Sequence, residues 1–136
     1  METAHVTIRQ ALVRSIWMIM LPSMAVLLTP LAIVLTAGSM ELIPDQGDEA
    51  WRWYGPALLI SFVGGWLVWA IQVPKWRLWS YERVDNVQEL KARAVAAQLI
   101  WSDSSIFTRT EIASRETWNR IRQLEAAKSV SAPREI

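Results

Sequence analysis

Two uninterrupted stretches without a formal charge, residues 15–40 and 53–74, constrain this chain more than any other feature. All 14 basic and 13 acidic residues lie in the remaining 88 of its 136 positions. A bilayer core of roughly 30 Å is crossed by about 20 apolar residues in a helix. Residues 15–37 and 54–74 therefore read as two membrane-spanning helices. The rival for the first is a cleaved signal peptide, with Arg9 and Arg14 as its basic region and Thr36-Ala37-Gly38 at the cleavage point. Its apolar run exceeds the roughly 7–15 residues of such a peptide, so a retained anchor is expected. The resulting fold class is an all-α membrane protein: a two-span transmembrane helical hairpin followed by a small cytoplasmic helical tail of two short amphipathic helices.

Orientation follows from Lys and Arg near the span ends. Arg9 and Arg14 precede the first span, and Lys75, Arg77 and Arg83 follow the second. The connecting loop has Arg52 alone, beside Glu41, Asp45, Asp48 and Glu49. This predicts a cytoplasmic N-terminal segment (1–14), an acidic external loop (38–53) and a cytoplasmic C-terminal part, in a multi-pass protein of a bacterial inner membrane. The C-terminal part divides into an aromatic and basic juxtamembrane segment (75–83), a helical region (84–128) and a flexible end (129–136).

Nine tryptophans are placed informatively. Trp51, Trp53 and Tyr54 flank the outer end of the second span, and Trp76, Trp79 and Tyr81 the inner end. Indole and phenol rings favour the headgroup region, so these residues, with Lys75, Arg77 and Arg83, are expected to act as interfacial anchors. A sharper alternative makes Lys75–Tyr81 a docking patch for a specific lipid or protein.

Within the second span Ala57, Ser61 and Gly65 recur every four residues, with Gly64 alongside. Small residues let helix backbones approach closely in lipid. The partner is either the first span or another chain, including a second copy. Pro22 and Pro30 should bend the first span, with Thr29 able to satisfy part of the freed backbone. No ionisable side chain lies inside either span, which lowers an ion or proton pathway.

Loop residues Pro44 and Gly47 signal turns, and the acids around them do not match a calcium loop. In the tail, Asp85 with Gln88 resembles a capping box before a helix from Asn86 to about Ile100. Val87, Leu90, Ala94, Ala97 and Trp101 share one face of it. Residues 106–112 read as a short extended segment or the beginning of the next helix. Ser114 is placed to cap a helix over 115–127, with Trp118, Ile121 and Leu124 as its stripe. Leu90, Trp101, Phe107, Trp118, Ile121 and Leu124 form the expected apolar face of the tail, with Trp101, Phe107 and Trp118 at its centre. Two helices of about a dozen residues bury little surface alone; they are expected either to fold on each other as a small helical hairpin or to complete their burial on a partner protein or the membrane surface.

No catalytic, cofactor-binding or metal-binding residue emerges. Cysteine is absent, which excludes disulfides, thiolate metal sites and cysteine nucleophiles. His5 stands alone near the N-terminus, and Ser104 and Ser105 have no histidine in their vicinity. A net charge of +1 argues against a bulk grip on nucleic acid. The expectation is a non-catalytic integral membrane protein, an accessory or adaptor subunit that binds the bilayer, and a protein partner or its own copy, without a cofactor or small-molecule substrate. The alternatives are a small oligomeric pore and a membrane-tethered nucleic-acid-binding regulator.

Overall fold

A computed structural model describes residues 5–130, and every element among them is helical, with no strand. The helices are α1 (Ile8–Ser15), a π turn (Ile16–Met20), α2 (Leu21–Ser39), α3 (Trp51–Arg83), α4 (Val87–Ala96), a 3-10 turn (Ile106–Thr110) and α5 (Arg115–Val130). The stretches Ile8–Ser39 and Trp51–Arg83 are both long and apolar enough to cross a membrane. The expected flexible end at 129–136 lies outside the described residues from position 131 onward.

The chain divides into two compact units, Met20–Trp69 and a second made of Met1–Ile19 with Ala70–Ile136. In the first, α2 and α3 run antiparallel. A Cβ on Gly64 would lie 2.9 Å from Val26 Cγ1, and one on Gly65 would lie 3.1 Å from Leu27 Cβ. Near the loop, a Cβ on Gly38 would meet the Tyr54 hydroxyl at 2.7 Å. Small residues therefore set the spacing at both ends of this pair. α2 stops in a left-handed cap: Glu41 takes φ 58°, its N–H donates to Gly38 O, and Leu42 N–H donates to Ala37 O.

The π turn ends two residues before Pro22, whose ring would crowd the Met18 carbonyl in a regular helix. Pro30 frees the Val26 carbonyl. Thr29 does not serve it: its hydroxyl donates to Ala25 O at 2.6 Å. The expected repair of the Pro30 gap by Thr29 is thus replaced by an ordinary bond one residue earlier.

In the second unit, Thr7 and Gln10 form a capping box that starts α1 seven residues before the apolar run. The N-terminal segment is therefore helical from Ile8. Trp76 Nε1 donates to Ala11 O at 2.9 Å, and Val6 N–H donates to Arg83 O at 3.0 Å. Both bonds fasten the N-terminal residues to the last turns of α3.

Pro74 does not end α3, contrary to the sequence expectation. Proline inside a helix removes one N–H and leaves the carbonyl four residues earlier unserved. That carbonyl belongs to Ala70, and Ile112 N–H donates to it at 2.8 Å. The gap is thus filled from the tail, and the helix runs on to Arg83. Lys128 of α5 then donates to the carbonyls of Tyr81 and Val84 at 2.6 Å each, placing a cation on the C-terminal end of α3.

α4 is capped by Asn86, which accepts from Glu89 N–H, not by Asp85 with Gln88. It ends at Ala96, earlier than expected, because Gln98 adopts φ 57° and closes a left-handed cap. Residues 106–110 coil into a 3-10 turn capped by Ser105, so the extended reading fails there. Ser114 Oγ accepts from Thr117 N–H at 3.2 Å, as its position before α5 suggests.

Candidate functional site: a buried ion-pair cluster

The core of the second unit differs from the expected one. Trp76, Tyr81, Val73 and Val84 of the α3 end pack with Ala11, Val87, Leu90, Ala94 and Ile121, all essentially inaccessible. Trp101 and Phe107 meet with ring centroids 4.8 Å apart and planes tilted by 30°, yet each remains 40% exposed. They are peripheral because α4 ends before Trp101 can follow its stripe inward; Ala97 is exposed for the same reason. Trp118 and Leu124 are half-buried beside the buried Ile121. The shortfall of apolar surface in α4 and α5 is made up by this chain's own α1 and α3.

Inside this core sits a charged group that sequence reasoning placed elsewhere. Arg77, expected at a lipid boundary, is 1% exposed. Its Nη2 lies 2.9 Å from Glu111 Oε1, and the Glu111 side chain is wholly enclosed. Asp103 Oδ1 lies 3.9 Å from Arg77 Nη1. Lys91 pairs with Asp103 and, at 3.3 Å, with Glu125. Two cations and three carboxylates thus come from α3, α4, the 97–114 connection and α5. Burial raises the Glu111 carboxyl above its ordinary value, and the neighbouring Arg77 charge works against that rise. Arg77 Nε and Glu111 Oε2 are enclosed without hydrogen-bond partners.

A cleft of about 490 Å³ opens over the cluster, bordered by Ser104, Ser105, Arg109, Trp118 and Arg122. Its hydroxyls are engaged structurally: Ser105 Oγ accepts from Phe107 N–H, and Ser104 Oγ is 3.0 Å from Ser102 Oγ. His5 pairs with Asp85 at 3.0 Å, where both side chains are more than three-quarters exposed. Among the described residues no group of three or more His, Asp or Glu side chains is arranged to hold a metal ion. The cluster's chemistry is that of a positioning network linking the tail to α3.

The other expected site residues are distributed as follows. Ala57, Ser61 and Gly65 are buried and Gly64 half-buried, on the side of α3 facing α2. Trp51 and Trp53 are exposed, whereas Tyr54 is half-buried against Gly38. Trp76, Arg77 and Tyr81 are enclosed by protein and present no surface for a headgroup, which corrects their assignment as anchors. Lys75 is exposed. Trp79 is half-buried with two guanidinium groups near its ring, Arg83 at 5.0 Å and Arg14 at 5.5 Å. Sequence reasoning missed Glu111, Asp103, Lys91, Glu125 and Lys128. No local signal marked Glu111: it lies in IFTRTEI, whose Ile106 and Ile112 are themselves exposed.

Comparisons with protein-family models, with curated proteins and with solved structures find no match to this chain.

Proposed function

We propose that the chain is a non-catalytic, two-span integral membrane protein that presents a folded helical head to a partner protein. One observation carries the membrane part. In the most apolar stretch of each long helix only 11% and 28% of the residues are buried. The central helix of a soluble domain would be mostly enclosed. Here Ile33, Leu59, Ile60 and Phe62 are each about 60% exposed or more, a burden that water does not tolerate and a bilayer does. Lys and Arg placement favours both ends in the bacterial cytoplasm and the acidic loop outside.

The partner reading now rests on different residues. Trp101, Ile106, Phe107 and Ile112 lie within twelve positions and are 40%, 73%, 40% and 51% exposed. Clustered exposed aromatic and branched residues mark contact surfaces more often than single ones do. A photoreactive side chain at Ile106 should give a discrete protein adduct in intact membranes. Lipid adducts alone would defeat the adaptor reading.

The topology has its own test. Gln46→Cys and Ser129→Cys variants should react with an impermeant thiol reagent from opposite sides of sealed vesicles. Labelling of both from one side would rule out the hairpin, and loss of the full-length protein from membranes at alkaline pH would rule out integration altogether.

A further inference from the structure

We infer that Arg14 and Arg83, which meet at Trp79, together with Arg9, which shares a cleft of α1 with Arg14, form a binding site for one anionic phospholipid headgroup; this rests on the membrane reading above. Arg14 and Arg83 are 69 positions apart in the chain, and both guanidinium groups approach the Trp79 ring within 5.5 Å. The approach is enforced by the clamp between α1 and α3. Ala11 and Ser15 are fully buried, and Trp76 Nε1 holds the Ala11 carbonyl. Among the described residues Arg14 forms no salt bridge, while Arg83 Nη1 donates to Trp79 O at 3.0 Å and has Glu82 at 3.8 Å, which leaves its Nη2 and Nε for an anion. Holding two like charges at one ring is unfavourable by itself, and an anion at the same place offsets that repulsion.

The shape of the adjoining surface says which anion. A cleft of about 540 Å³ runs along α1, with Thr7, Arg9 and Gln10 toward one end and Val13, Arg14 and Trp17 toward the other. Val13 is 48% and Trp17 65% exposed. Residues 9 to 17 span about 12 Å along a helix. Over that length Arg9 and Arg14 supply the cationic lining and Val13 and Trp17 the apolar lining, Trp17 being the one that lies in the charge-free run. A free phosphate would use the cationic lining only. A phospholipid uses both, its phosphodiester among the arginines and its first acyl carbons on Val13 and Trp17. Arg77 takes no part, being consumed by Glu111.

The test uses the full chain in a neutral detergent, titrated with short-chain phosphatidylglycerol, short-chain phosphatidylcholine or glycerol phosphate, with bound species read by native mass spectrometry. Phosphatidylglycerol should be retained at one molecule per chain, and the other two should not. The Arg14→Gln/Arg83→Gln pair should weaken retention by about tenfold or more. Arg14→Lys/Arg83→Lys should keep part of it, and Arg115→Gln should leave it unchanged. Circular dichroism of each variant separates lost binding from lost folding, the lysine pair remaining informative if the glutamine pair fails to fold. Equal retention of phosphatidylcholine, or retention indifferent to all arginine variants, overturns the site. Equal binding of glycerol phosphate overturns its lipid character. A chain that resists alkaline extraction yet shows no preference loses only this site, whereas one released by extraction loses the membrane reading itself.

Discussion

Arg77 and Glu111 exemplify what burial does to a charge pair. Removing one partner leaves the other enclosed and uncompensated, which costs about 3–5 kcal/mol, whereas replacing both with apolar residues is often neutral. Glu111→Ala should therefore lower the unfolding midpoint sharply in detergent, and Arg77→Met/Glu111→Leu should recover most of the loss. A single variant as stable as the parent would remove the pair from the structural account. The sign of the pH effect follows from the raised Glu111 carboxyl. A raised folded-state value gives stability that is complete below the unfolded value and is lost as pH climbs through the folded one. Parent stability relative to Glu111→Gln should thus increase as pH falls from neutral into the range just above 4.5. An opposite slope would mean that Arg77, not burial, dominates this carboxyl. Ser61 gives a contrasting case. Its hydroxyl is enclosed without a partner, so Ser61→Ala should be neutral or stabilising by up to about 1 kcal/mol. None of these environments is visible locally: Arg77 after an apolar run looks like any snorkelling cation, and only the distant Glu111 makes it a core residue.

At the scale of elements, the proline in α3 shows how a local defect becomes a tertiary connection. Pro74→Ala would restore an N–H that competes with Ile112 for the Ala70 carbonyl. Hydrogen exchange at the Ile112 amide should accelerate in that variant while the amides of α3 become better protected; unchanged exchange at Ile112 would show that its bond to Ala70 is dispensable. Packing of α2 on α3 is tested by Gly65→Leu. With Leu27 Cβ already 3.1 Å from a bare Cβ at that position, overpacking should cost about 1–3 kcal/mol. The two long helices and the small-residue stripe were legible because charge absence and four-residue spacing are properties of the chain itself. Helix ends were less so. Gln98 and Glu41 both end helices with positive φ, a role in which glycine is the usual signal, and Pro74 carries the usual stop signal yet lies inside a helix because a remote amide repairs it.

For the molecule as a whole, the reading of the tail changes most. From sequence, α4 and α5 bury too little surface for strong stability on their own, which leaves a self-folded hairpin or docking on a partner open. The structure supplies the missing surface from Trp76, Tyr81 and Ala11 of the same chain, and fastens it with Lys128 and Glu111. A fragment beginning at residue 84 therefore lacks most of its core and should show little cooperative unfolding on its own; a sharp melting transition for that fragment would contradict the shared core. The ion-pair cluster draws on positions 77, 91, 103, 111 and 125. Those positions leave the ribosome in that order, so Arg77 is made well before any carboxylate that can neutralise it in the finished core. A product ending before Asp103 has neither of the carboxylates that meet Arg77 in the finished core, so its guanidinium has to stay in water and the end of α3 cannot close over it.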